Sequence, residues 1–322
     1  MRHVRILGLS LSAVLVVMAA LTSAAALAHV AEGPGGEKFS TTWKKFRHCP
    51  VFEAPTVQSC FVASTNPEKK GGYYSVGPIV VNVTKPIVLQ GGLTHQELNE
   101  REEYVAQVVP PNDGTPVITP AAETVPGEPL ANVSEAEMNE AEWPQSLRES
   151  YKEAQKHRMF KEGKTVEEIE PAGDDVDIAS TFNLLVAEGT AIEAKIQITG
   201  KNPWLESLGG NCQIGSEANP VVQHLTSGES VSPLTGEVLK GNPGYPSVWD
   251  REELVPDAEA ELVDNTYPVP AAEKCGGAAF EAYLDPVVNR AFGLPAEAGA
   301  SKTLLIGQLF KATKLSVLKN YF

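Results

Sequence analysis

The stretch Ile192-Glu193-Ala194-Lys195-Ile196-Gln197-Ile198-Thr199 decides the fold class. Its apolar side chains fall on alternate positions and its polar ones on the positions between, the period-two pattern of a strand with one dry and one wet face. β-prone runs recur at 73–83, 86–90, 104–109, 220–226 and 303–317, separated by Gly, Pro and Asn. With 27 Gly and 24 Pro the chain suits strands and loops better than a helical bundle. A doubly wound parallel sheet would need regular helices between these runs, and they are absent. The pattern predicts a mainly β fold, an antiparallel sandwich or an irregular barrel.

Two segments break the β pattern. Asp285 and Pro286 read as an N-cap and first helical residue, with Gly293 as the left-handed stop, predicting a short helix in the C-terminal half that buries Val287, Val288 and Ala291. The other segment, 134–175, holds 18 charged residues in 42 against 21% for the whole chain, and reads as a charged helical insertion. Ser134 and Glu137 fit a capping box, and Pro144 ends or kinks the first piece at Trp143. Residues 145–162 then form a surface helix with Glu149 to Lys152, Glu153 to Lys156 and Arg158 to Glu162 as ion pairs. Its apolar stripe is thin, Leu147, Tyr151 and Ala154, which predicts a solvated arm or partly ordered loop. The alternative is a partner-docking arm at 145–162, whose deletion would leave the fold intact and abolish partner binding.

Residues 1–28 set the compartment. Arg2 and Arg5 precede an uncharged run ending in Ala26-Leu27-Ala28, the pattern of a secretory signal peptide cleaved after Ala28. An uncleaved membrane tether is the alternative. Residues 29–322 then form a single exported β domain, secreted or associated with the cell envelope. In an oxidising space Cys49, Cys60, Cys212 and Cys275 read as disulfides, with three pairings open. The short separation of Cys49 and Cys60 favours joining them, and Cys212 with Cys275. The first closure would contribute about 3 kcal/mol and the second about 4 in the loop-entropy account. The net charge of −15 makes nucleic acid an improbable partner.

No catalytic motif stands out. There is no G-x-S-x-G elbow, and Gly215-Ser216-Glu217 reads as a turn. Beyond the signal the histidines are His29, His48, His95, His157 and His224, with no two at metal spacing, and His224 reads as a half-buried strand residue. Asp174, Asp175 and Asp177 lack the rest of a calcium loop, so they read as a solvated acidic turn. Trp43, Trp143, Trp204 and Trp249 could offer sugar-stacking faces, although scattered tryptophans more often pack a core. Asn82-Val83-Thr84 and Asn132-Val133-Ser134 are glycosylation sequons that matter only in a host that uses them. No cofactor or metal site is predicted.

Several short segments carry a resemblance: 85–92, Asn202-Pro203, Gly210-Asn211-Cys212-Gln213-Ile214-Gly215-Ser216, Asn219-Pro220-Val221-Val222 and Leu225-Thr226-Ser227-Gly228. Leu262-Val263-Asp264-Asn265, Cys275-Gly276-Gly277 and Asp285-Pro286-Val287-Val288-Asn289 extend it over most of 46–310. They resemble segments of a family of secreted actinobacterial proteins with no assigned function. The resemblance implies export and a Cys212–Cys275 framework, but no activity. Its residues are turn and core types rather than proton-transferring ones. The expectation is a non-enzymatic binding or structural surface protein, with envelope polysaccharide, lipid or protein as partner classes. A secreted carbohydrate-active hydrolase using two carboxylates is the alternative.

Overall fold

The alternating stretch lies within a ten-residue strand, Ile192–Lys201, that buries Ile192, Ala194, Ile196 and Ile198 and leaves the residues between them half-buried. The structure is a computed structural model and describes residues 43–69, 71–95, 97–98, 104–119, 121–125, 130, 132–156, 166–178, 187–244 and 258–320. The signal segment, His29, His157, the Arg158 to Glu162 pair and Trp249 therefore lie outside the described residues.

The strands that come first are β1 (Ser59–Thr65), β2 (Gly72–Val76), β3 (Ile79–Asn82), β4 (Val88–Leu93), β5 (Glu97–Leu98), β6 (Tyr104–Val109), β7 (Ile118–Thr119) and β8 (Ala121–Thr124). Helices α1 (Glu135–Glu140) and α2 (Gln145–Lys156) follow, then β9 (Val166–Ile178), β10 (Ile192–Lys201), α3 (Pro203–Leu208), β11 (Cys212–Ile214) and β12 (Val221–Leu225). The chain continues through β13 (Glu229–Val231), β14 (Val238–Lys240), β15 (Ala258–Asp264), β16 (Ala272–Glu273), α4 (Glu281–Phe292), β17 (Thr303–Thr313) and α5 (Lys314–Asn320).

Every strand pairing is antiparallel, and the pairings close on themselves. β12 pairs β10, β10 pairs β9, β9 pairs β6, β6 pairs β4, β4 pairs β1, β1 pairs β17 and β17 pairs β15. The last gap is spanned by Thr226 and Val263, whose backbones exchange two hydrogen bonds of 3.0 and 2.8 Å between the ends of β12 and β15. The result is an irregular barrel of eight strands, a ring whose interior is just wide enough for side chains or one small ligand. Of the predicted runs, 104–109 matches β6 in full, 73–83 splits into the hairpin β2–β3, and 303–317 ends early because Lys314 begins α5.

Two apolar layers share the strands. Inward residues such as Phe61, Leu89, Leu309, Ile192 and Leu225 belong to the main core. On the outer face of β1 and β17, Cys60, Val62, Phe310 and Ala312 are covered by Phe46, Cys49, Val51, Val57 and, from α5, Val317.

Residues 134–156 depart from the expected solvated character. The capping box of Ser134 and Glu137 is present. Met138, Trp143, Leu147, Tyr151 and Ala154, however, are all buried in the main core, Leu147 and Tyr151 completely. The stripe predicted for the helix is the one observed; the error lay in treating a narrow stripe as too little to dock. Tyr151 extends it with polar contacts, donating to the Leu130 carbonyl at 3.0 Å and accepting from the Val133 N–H at 2.8 Å. Lys152 pairs with Glu135 rather than Glu149, and Arg290 of α4 reaches Glu137 at 2.8 Å. Residues 166–178 are no insertion at all but β9, so the acidic stretch at 174–177 lies in a strand of the barrel. Backbone pairing with β10 overrides a composition that disfavours strands.

The predicted C-terminal-half helix begins a turn earlier than expected. Its N-cap position is Phe280, and Pro286 lies inside it. Asp285 instead accepts a hydrogen bond from the Cys275 N–H at 2.9 Å. Burial of Leu284 draws the extra turn into the core. Gly293 does end the helix in the left-handed region, with φ 61°.

Candidate functional site

The barrel interior is not completely filled. A cavity of about 120 Å³ is lined by seven of the eight ring strands, all but β6: Ala63 of β1, Leu89 of β4, Ile169 of β9, Ile192, Ala194 and Ile196 of β10, Leu225 of β12, Ala260 and Leu262 of β15, and Leu305 and Leu309 of β17. Cross-strand register makes this possible, since Ala63 lies opposite both Leu89 and Leu309 and so shares their face. Three lining positions are alanines, whose side chains stop short of the ring's centre.

One corner of the lining is polar. Gln223 Nε2 donates to Thr303 Oγ1 at 3.0 Å, and that hydroxyl lies 2.8 Å from the Tyr267 hydroxyl, which donates to the Ser75 carbonyl at 3.2 Å. Burial pushes the Tyr267 phenol well above its ordinary range, so it remains a neutral hydroxyl. No Asp, Glu, His, Lys or Arg is among the described residues that line it. Such a cavity can enclose an apolar group beside a hydroxyl and an amide.

A second concavity, about 490 Å³, opens on the outer side of the same strands. Its floor consists of two cross-strand rows, Gln90–Val62–Phe310 and Val88–Ser64–Gln308. Lys44, Lys45, Arg47, His48, Thr115 and Thr119 complete it. Lys45 places its ammonium 3.2 Å from the centroid of the Phe310 ring. Arg47 Nε donates to His48 Nε2 at 2.6 Å, which requires the other imidazole nitrogen to carry the proton and donate to Asp113 at 2.7 Å. The His48 contact, aided by Thr115, holds the Asp113 carboxyl well below the usual carboxylate range. Both ring nitrogens of His48 are thereby engaged.

The cysteines pair as expected, Cys49 with Cys60 and Cys212 with Cys275. Several segments that carried the resemblance lie at the second bridge or at the barrel seam, while 85–92 leads into β4. Gly276 N–H bonds the Gly210 carbonyl at 2.8 Å, and a Cβ on Gly210 would lie 2.9 Å from the Gly277 nitrogen, so glycine is what lets these two stretches meet. Asn202 caps α3 by accepting from the Trp204 N–H, and Asn289 exchanges two hydrogen bonds with the Ala272 backbone. Asp264, fully buried, accepts from His224 N–H at 2.7 Å and from the N–H and hydroxyl of Thr266. These residues build architecture, whereas Leu89, Leu225 and Leu262, from other segments of the resemblance, line the interior cavity, and Val88 and Gln90 the outer one.

Other candidates are dispersed. Trp143 and Trp204 flank Tyr151 edge-on in the core, which removes them from any sugar-stacking surface. His224 is half-buried on β12, 3.3 Å from Glu193. Ser216 closes a turn with Asn219. Both sequon asparagines, Asn82 and Asn132, are exposed. Among the described residues no group of His, Cys, Asp or Glu is arranged to hold a metal ion, and no helix is long and apolar enough to cross a membrane. Sequence reasoning missed both cavities, because each is assembled from strands far apart in the chain; only the basic run Lys44-Lys45-Phe46-Arg47 left a visible mark.

The fold and site thus define a disulfide-stapled irregular β-barrel with an apolar interior cavity. Comparison with protein-family models, with curated proteins and with solved structures finds no match for this chain.

Proposed function

We propose that this is an exported binding protein, secreted or held at the envelope as in the actinobacterial family it resembles, that encloses a small apolar molecule or the apolar end of an envelope lipid. One observation carries the reading: seven of the eight ring strands leave an apolar cavity at their centre, with Gln223 and Thr303 at its polar corner. Its volume is of the same order as the ~150 Å³ engineered apolar cavity that stays dry and takes up benzene. Two disulfides fit an oxidising compartment. The charge-free lining favours binding over hydrolysis by paired carboxylates.

A ligand that binds only the folded state raises the melting temperature by mass action. The purified protein should therefore show a saturable rise with 1-hexanol or cyclohexanol. The Ala194→Leu variant, which extends a side chain into the cavity, should lose the response while remaining folded. A wild-type protein indifferent to every apolar probe, or a response unchanged by Ala194→Leu, would remove the proposal.

A further inference from the structure

We propose that the outer concavity is a second, independent ligand site, for a small oxyanion-bearing sugar such as a sugar acid or sugar phosphate. The chain is acidic, with 41 Asp and Glu against 26 Lys and Arg. Against that background Lys44, Lys45 and Arg47 bring three cations to one rim, and no Asp or Glu is among the described lining residues. A concavity lined by one sign of charge focuses the field and attracts the opposite one. The guanidinium of Arg47 has one N–H committed to His48, and His48 is itself braced by Asp113, so the fork is held in place with its other donors available for a carboxylate or phosphate.

The remainder of the lining describes the rest of the ligand. Ser64, Gln90, Thr115, Thr119 and Gln308 supply hydroxyls and amides, the side chains that pair with sugar hydroxyls, while Val62 and Val88 give the floor an apolar surface. A volume of about 490 Å³ falls in the range of small-molecule sites. A long polyanion is disfavoured, because beyond the rim it would meet a surface of net negative charge.

Ser64 and Gln308 border both concavities, but the rim cations Lys44, Lys45 and Arg47 border only the outer one, so variants at the rim test this site separately from the apolar-ligand reading. The test is a titration of the full exported protein at about 20 mM salt, followed by calorimetry, with D-glucuronate, glucose 1-phosphate, inorganic phosphate and neutral glucose. Glucuronate or glucose 1-phosphate should bind saturably, the preferred one telling carboxylate from phosphate, and glucose should not bind. Lys44→Glu/Arg47→Glu should weaken that binding at least tenfold. Lys152→Glu, which makes a charge change on a distant helix, should leave it within twofold. Circular dichroism confirms that each variant is folded. The proposal is overturned by no saturable binding of either sugar anion, by binding of inorganic phosphate alone, or by equal losses in the rim and Lys152 variants.

Discussion

Asp264 shows how one side chain joins several parts of the chain. It sits at the end of β15, and its carboxylate gathers the His224 N–H of β12 and both donors of Thr266. Burial raises its carboxyl above the ordinary value, while the three donors pull it down; burial prevails. The native state therefore holds the proton more tightly than the unfolded chain. In the window just above the ordinary aspartate range, this group's contribution to stability falls as pH rises and recovers as pH drops. The difference between wild-type and Asp264→Asn stability, followed from pH 3 to 7 by urea unfolding, should carry that slope; a flat difference would falsify the assignment. Asp264→Ala should cost about 3 kcal/mol, since it strands buried donors. Nothing in the local sequence Leu262-Val263-Asp264-Asn265 marks the Asp as buried. The period of a strand assigns it a face, but only the β12–β15 seam encloses it.

At the scale of elements, α2 carries the clearest lesson. Its stripe of Leu147, Tyr151 and Ala154 was legible from helical spacing, yet a stripe says nothing of what waits to receive it. Trp143 and Trp204 flank Tyr151, and Ser150 accepts from the Trp204 indole N–H at 3.0 Å. Leu147→Ala should therefore cost about 3 kcal/mol, in the range of buried large-to-small changes, as read from the denaturant midpoint. Tyr151→Phe should cost about 1 to 2 kcal/mol by leaving the Leu130 and Val133 backbone groups without their partner. Removing residues 134–156 should prevent folding, where a solvated arm would be dispensable; a stable, cooperatively unfolding deletion variant would count against this packing. β10 needed no such help. Its alternation is strict because one face is dry along the whole strand, and the residues read as inward are the ones buried.

For the whole molecule, the Thr226–Val263 pair closes the ring between β12 and β15, while the Cys212–Cys275 bridge ties β11, which pairs with the end of β10, to the chain just after β16. Replacing both Cys212 and Cys275 by Ala should cost about 4 kcal/mol by restoring freedom to the unfolded chain. That loss should appear in chemical denaturation with little change in native circular dichroism. The sequence by itself determined the strand-rich class, the face each residue of β10 presents and the stripe of α2, because these depend on spacing along a few neighbouring residues; it favoured the disulfide pairing without deciding it. It could not determine that β9 would be a barrel strand despite its acidic composition, that α2 would dock, or that two concavities would form back to back on β1, β4 and β17. Those features arise from pairings between residues as distant as Val62 and Phe310. A cavity is the space left when such pairings close, and no single segment of the chain contains it.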